Sequence, residues 1–407
     1  MEKKAIVILG GGPEQKDAYL ISLKKKIIII GVDKNKNANS LNYANYKIFC
    51  SIYNWRKIIS NLKIIKKKKK LKIIGIVSLA VDVPETLYNL SKKLKLSFIN
   101  SNNFNKIKNK YNFYKCLKNK FNIPKFKIYK KKQDLFLYAK KEKFPFIIKP
   151  ISDRGSRDIF LLKNKDNFQF YLKNKINLFK QKKLLLQKFI QGEQYSTESF
   201  IINKKVHTLI FKRNYTSYEK FHPYVIEDGG DSYFTMSKYK KLKLIKTVER
   251  LVKELDIKNG PLKCDFVLQK NNFYILEVAL RFGGGFIASK ASELLLGFNF
   301  VEAHIDKMIN NSYVLKKYRR KQTFIKSLST RTVAAEKKGK ILKIKNFISQ
   351  NLKKNILYIS YNKKKGDRVN IPTSHAERLA FLIAFSKKND ASKKAELAAS
   401  KIKFLIK

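Results

Sequence analysis

Apolar runs alternate with helical stretches over the first hundred residues. AIVILGGG (5–12) ends in glycines, Asp17–Lys25 continues with helical spacing, IIIIGVD (27–33) ends in an acid, and IIGIVSLAVD (73–82) forms a third run. Unbroken apolar strands separated by helices predict a parallel sheet covered on both faces. The lysine cluster Lys66–Lys70 is expected to be a solvated loop before the third run.

The pattern changes near Lys106. KNKYNFYKCLKNKFNIP (108–124) has helical spacing and is expected to end at Pro124. Short strands are predicted at FKIYK, FPFIIKP, DIFLLKN and LLLQKFI, then a hairpin over YSTESFIINKKVHTLIFKRN turning near Asn203. A helix is predicted over Lys240–Leu255, with an exit at Asp256–Gly260. A second hairpin pairs KCDFVLQ with NFYILEVAL around Lys270–Asn272, and Gly283–Gly285 follow. From Gln322 a third unit is expected, with strands, a turn at Gly366 and helices over Ala376–Phe385 and Ala391–Ile402. These readings divide the chain into 1–105, 106–320 and 321–407, in a mixed α/β and α+β class.

The net charge of +60 suggests nucleic acid or an anionic membrane. Yet 11 of the 90 basic residues are arginine, the lysines run from end to end, and Lys, Asn, Ile, Phe and Tyr are all abundant. That points to a base-composition bias and solvated lysines, so no specific nucleic-acid partner is expected. With 44% hydrophobic residues the chain can build cores. No apolar run approaches the ~20 residues of a membrane span, and the N-terminus does not read as a signal peptide. Cys50, Cys116 and Cys264 lack CxxC spacing, which argues for a reducing, cytoplasmic setting and against a zinc site.

Chemistry concentrates in a few places. Asp265 and Glu277 fall on the two arms of the second hairpin, where antiparallel pairing would bring two carboxylates together. A divalent cation removes their repulsion, and hard oxygen ligands suit Mg²⁺ shared with a nucleotide phosphate. An ordinary exposed hairpin with two unrelated acids is the plain alternative. Arg281 and Gly283–Gly285 follow, setting a fork-shaped cation and a side-chain-free backbone beside that pair. Lys149 ends an apolar strand and the loop SDRGSRD (152–158) comes next, suited to folding over phosphates; no Walker loop is present. A surface lysine and a turn would look the same. His222 and Glu227, ahead of a glycine pair, are candidates to face an acceptor.

Taken in order, GGGPEQ, GVDKN, NKYNFYKCL, FPFIIKP, SDRGSRD, LLLQKFIQGEQYS, NGPLKCDFVL and YILEVALRFGGGFIASKASELLLG resemble the ATP-grasp superfamily over nearly the whole chain. The resemblance is to the branch holding L-amino-acid ligases, biotin-carboxylase-like enzymes and the large-subunit halves of carbamoyl-phosphate synthase. It implies a Rossmann-like pre-ATP-grasp domain, an ATP-grasp domain with a lid over about 125–195, and a small C-terminal lobe. It further implies that Lys110 and Lys149 hold nucleotide phosphates, with Ser152, Gly155 and Ser156 in the covering loop. By the same resemblance Gln187, Lys188 and Ile190 lie at the adenine hinge, and Glu193 or Gln194 at the ribose. Asp265 and Glu277 would hold magnesium (or manganese), and Arg281 would steady the transferred phosphate. Two positions depart from the pattern. Ala279 stands where many members carry Asn, leaving metal binding to Glu277, and Asp158 replaces a common glycine.

The activity so implied is ATP-dependent joining of a small-molecule carboxylate to an amine through an acyl-phosphate, releasing ADP and phosphate. No membrane is involved, and a homodimer is a compatible assembly. A carboxylase or carbamoyl-phosphate-synthase-like enzyme that activates bicarbonate is the alternative within the superfamily. Outside that class stand a basic nucleic-acid-binding protein and a catalytically silent ATP-binding regulator.

Overall fold

The computed structural model describes residues 2–96, 101–129, 144–152, 155–175, 183–214, 220–310 and 324–407, with the single positions 133, 135 and 137. Arg154 and Gln322 lie outside them.

Strands β1 (Lys3–Leu9), β2 (Ile28–Val32), β3 (Tyr46–Ile48) and β4 (Leu71–Ser78) form a parallel sheet in the order β3-β2-β1-β4. Ala5, Val7 and Leu9 of β1 pack into one core while Ile6 and Ile8 pack into another, so the run is buried on both faces. The three-residue β3 carries too short an apolar signal to read from sequence. Lys66–Lys69 are not a loop. They form the last turn of a helix, Trp55–Lys69, whose Ile58 and Leu62 are buried. Lysine is a good helix former, and cations at a helix C-terminus meet the negative end of its dipole. Lys70, in the left-handed conformation, ends that helix.

Of the helix expected over 108–124 only Lys110–Leu117 forms, preceded by a separate helix Ser101–Ile107. The Asn109 side chain caps Lys110–Leu117 by accepting the Asn112 N–H, and the backbone leaves helical geometry at Lys118. Next come β5 (Phe126–Tyr129), β6 (Phe146–Pro150), β7 (Phe160–Leu162) and β8 (Leu184–Lys188), an antiparallel sheet ordered β5-β8-β6-β7. Strands β9 (Glu193–Ile202) and β10 (Lys205–Asn214) form the expected hairpin. Its turn residues Asn203 and Lys204 both take positive φ, as a two-residue hairpin of this hand requires. After β11 (Gly229–Asp231) and the helix Lys238–Glu254, β12 (Gly260–Gln269) and β13 (Asn272–Ala279) make the second hairpin.

The C-terminal strands β14 (Ser327–Val333), β16 (Ile356–Tyr361) and β18 (Ala380–Ser386) continue this sheet, which reads β13-β12-β9-β10-β11-β14-β18-β16. Strands β15 (Gly339–Asn346), β17 (Arg368–Val369) and β19 (Ile402–Ile406) form a small separate sheet. Ala376–Phe385 is therefore not a helix. A short turn at His375–Glu377 leads into β18, because pairing with β14 and β16 overrides the helical preference of AERLAFLIAF. The last helix runs Ala391–Ser400 and stops before β19.

Candidate active site

A cavity of about 630 Å³ opens between these sheets and the loops of the N-terminal unit. At its centre Asp265 stands opposite Glu277, Cα partners in the β12–β13 ladder. Ser196 on β9, itself paired with Asp265, donates its hydroxyl to the Asp265 carboxylate, and the Lys263 ammonium lies 2.5 Å away. Burial would raise the Asp265 carboxyl, but Lys263, Arg213 and these hydrogen bonds outweigh it and hold the group below its usual value. Glu277 lies 3.6 Å from Lys110 Nζ and keeps 37% of its side chain exposed. Two paired acids are thus countered by two lysines, and both line the cavity.

Lys149, at the end of β6, is 5% exposed. Burial, then the neighbouring Lys110, lowers its ammonium to about 7 against the pull of Glu277 and Asp265. Nζ donates to the Tyr114 hydroxyl at 3.3 Å. That hydroxyl, wholly buried, also lies 2.8 Å from Gln187 Oε1 and 2.7 Å from the Leu276 carbonyl oxygen. Tyr114 therefore joins the lysine to the strand β8 residue at the expected hinge. Sequence reading missed it, since a tyrosine beside Phe113 on the apolar face of a helix looks like ordinary core.

The glycine run is held from both sides. The Gly283 N–H is shared between the two Glu198 carboxylate oxygens at 3.0 and 3.1 Å, and the Gly285 N–H donates to Glu14 at 2.5 Å. A Cβ at Gly283 would stand 2.6 Å from Glu198 Oε2, so any larger residue would displace that carboxylate. Burial lifts the Glu198 carboxyl to about 7, and also raises Glu14, against opposing N–H groups and cations. Glu198 was not anticipated. The one signal was an acid two residues after Ser196, on the same face of a buried strand. Arg281 lines the cavity with Nε 3.7 Å from Asp82 Oδ1 and Nη1 donating to the Phe282 carbonyl at 3.1 Å.

Gly155, Ser156, Gln187, Ile190 and Gln194 line the cavity with the residues above. Apolar side chains of Ile147, Ile159, Val267 and Leu276 wall its hinge end. Ser152 borders a smaller adjoining cavity together with Lys110 and Glu277. Lys188 and Glu193 are not brought into the lining. The Lys188 N–H donates to the Lys125 carbonyl at 2.8 Å, and Glu193 pairs with Lys212 and accepts the Tyr195 hydroxyl at 2.7 Å. Asp158 takes φ +56°, the conformation that glycine adopts freely and that aspartate tolerates better than most residues. Glu227 lines the cavity, its carboxylate paired with Arg213, whereas His222 does not reach the lining.

Among the described residues no group of three or more His, Cys, Asp and Glu side chains could hold a metal ion. The pair Asp265 and Glu277 fits a hard divalent cation that takes its remaining oxygens from a bound phosphate and water, the usual habit of Mg²⁺.

Residues 107–285 match the family model of the ATP-grasp domain. No curated protein sequence matches the chain. Among solved structures, the fold is similar to that of an L-amino acid ligase from Bacillus licheniformis (TM-score 0.81, 14% identity, 100% of both chains). It is similar also to a phosphoribosylglycinamide synthetase from Anaerococcus prevotii (TM-score 0.74, 18% identity, 100% of both chains). An N5-carboxyaminoimidazole synthetase from Staphylococcus aureus, complexed with ADP, matches with TM-score 0.73 and 13% identity over 98% of each chain. Residues 107–285 thus match the ATP-grasp domain, and the chain shares its fold from end to end with these structures.

Proposed function

We propose that this protein is an ATP-dependent carboxylate–amine ligase that works through an acyl-phosphate and releases ADP and phosphate. The observation that carries this reading is the in-register pair Asp265 and Glu277, facing one cavity with Lys110, Lys149 and Arg281. Adenine would lie against the apolar wall near Gln187 and Ile190, with Gln194 towards the ribose. Lys110 and Lys149 would meet the phosphates, and the backbone of Gly155 and Ser156 would cover them. Asp265 and Glu277 would hold Mg²⁺, which when bound supplies charge neutralisation for phosphoryl transfer.

In this scheme the carboxylate oxygen attacks the γ-phosphorus, the bond to the β-phosphate oxygen breaks, and ADP departs. Lys149 and Arg281 stabilise the charge spread over the transferred oxygens. The neutral amine then attacks the acyl carbon, the bond to phosphate breaks, and the nitrogen loses one proton to the departing phosphate or to water. No side-chain nucleophile takes part. Water must be kept from the acyl-phosphate, which the cover over the cavity would do.

The test is to screen carboxylates against amines with MgATP and to identify products by mass. Amide formed in step with ADP supports the reading. ADP release that requires bicarbonate would replace it with a carboxylase. AMP as the stoichiometric product would refute it.

A further inference from the structure

His375 sits in the C-terminal part of the chain, more than two hundred residues from the turn Gly155–Asp158, yet the two are bonded. The His375 N–H donates to the Gly155 carbonyl at 3.1 Å, and Nε2 lies 3.0 Å from Ser156 Oγ. The Glu227 N–H also donates to Nε2, at 3.2 Å. A nitrogen that accepts from a backbone N–H carries no proton, so the imidazole is neutral with its proton on Nδ1, and Ser156 is the donor. The surrounding segments fix the arrangement further. Arg378 donates to the Glu227 carbonyl, and Arg213 on β10 pairs with the Glu227 carboxylate. Three separate parts of the chain thus meet at one ring nitrogen.

We infer that His375 is a positioning residue for nucleotide binding, holding the Gly155–Ser156 turn in place from the C-terminal side of the cavity. The inference rests on the proposed placement of nucleotide phosphates beneath that turn. The same segment carries Arg378, which lines the cavity alongside Tyr358, Ser360 and Asn362 of β16 and its exit. The end of the cavity away from the hinge is therefore tied to the turn by direct hydrogen bonds. The junction also has a built-in sensitivity. A proton on Nε2 would break the bond from the Glu227 N–H and set two N–H groups against each other, leaving the Ser156 hydroxyl to turn and accept. The charged groups that face the ring are Arg378 on its own segment, Arg213 on β10 and Lys263 on β12. With burial, which acts most strongly, they hold the imidazole well below its ordinary value and keep it an acceptor.

Two measurements on the full chain test this. The first is cleavage of the unliganded protein after Arg157, exposed within the turn, by an arginine-specific protease, scored against cleavage after Arg250 in the same molecule. The second is MgADP affinity by calorimetry. His375→Ala should speed cleavage after Arg157 at least fivefold and weaken MgADP about tenfold. His375→Gln, whose amide oxygen can accept both hydrogen bonds, should stay within about twofold of wild type at pH 7.5. Ser156→Ala removes one bond without touching the ring and should give a smaller effect of the same sign, which keeps the test open if His375→Ala fails to fold. Unchanged cleavage and affinity in His375→Ala, or in Ser156→Ala should the former not fold, would overturn the inference. Wild-type protein that binds no MgADP would instead sink the functional proposal, and the proteolysis would still decide the junction.

Discussion

Asp265 and Glu277 are direct partners in the β12–β13 ladder, yet each carboxylate is met by its own lysine, Lys263 at 2.5 Å and Lys110 at 3.6 Å. Two acids side by side would repel, and the lysines relieve that in the absence of a cation. Asp265→Asn and Glu277→Gln should each cut ADP release more than tenfold, with circular dichroism spectra unchanged. Retention of more than about a tenth of wild-type release in both variants would remove these residues from the metal site, since a lost ligand should cost several kcal/mol of transition-state stabilisation.

Lys149 titrates near 7 in the unliganded protein. Its folded value lies below that of the unfolded chain, so it lowers stability fully below about pH 7 and ceases to do so as pH rises towards 10.5. A nucleotide phosphate beside it should restore the charge. MgATP binding at pH 8 is therefore expected to take up close to one proton, read by calorimetry in buffers of different ionisation enthalpy. Lys149→Met should bind more weakly and take up none. Equal uptake in both proteins would assign the proton to another group.

Glu198 behaves in the opposite sense. Its carboxyl is raised from 4.5 to about 7, so the stability linked to it is complete below pH 4.5 and lost as pH rises through 7. Glu198→Gln can still accept the Gly283 N–H but cannot ionise. Denaturant unfolding at pH 5 and pH 8 should show a smaller fall for the variant. The difference should approach about 3 kcal/mol, from 1.36 kcal/mol for each of roughly 2.5 units. Identical falls would mean that Glu198 does not titrate in this range.

Arg281→Lys keeps the charge and loses the fork. A lysine cannot make the Nε approach to Asp82 and the Nη1 bond to Phe282 together, nor grip a phosphate with two prongs. ADP release should fall at least tenfold, with the product still ADP. A rate within twofold of wild type would show that charge alone matters at this position.

The sequence was most legible where local chemistry and fold agree. Both hairpins, with Asn203 and Lys270 in turns of positive φ, followed from apolar arms around polar turns, and one of them brought Asp265 to Glu277. Lys149 was marked out by the resemblance, since on its own a lysine closing an apolar strand reads equally as a surface residue. What stayed hidden depends on distant partners. Glu198 and Glu14 acquire meaning only where the backbone of Gly283–Gly285 arrives, and Tyr114 only where Gln187 and Leu276 meet it. The segment Ala376–Phe385 reads as helix until β14 and β16 flank its greater part. Lys66–Lys69 misled in the other direction, since charge density suggested solvent and said nothing of backbone conformation.

Strands β13 and β16 are the two edges of the eight-stranded sheet, and both contribute to one cavity, through Glu277 at one edge and Tyr358 and Ser360 at the other. Laid flat, seven spacings of about 4.8 Å would part them by roughly 34 Å. Between these edges the cavity is also bordered by Ser196 and Glu198 of β9, Phe211 and Arg213 of β10 and Thr330 of β14, so it runs along one face of the sheet. A twist of roughly 20–25° at each step gives that face the curvature of a trough. Its curvature is then a setting shared by both ends. A bulky side chain wedged between β11 and β14, near neither edge, would spread the trough like a hinge and move Glu277 and Tyr358 apart together, without touching either.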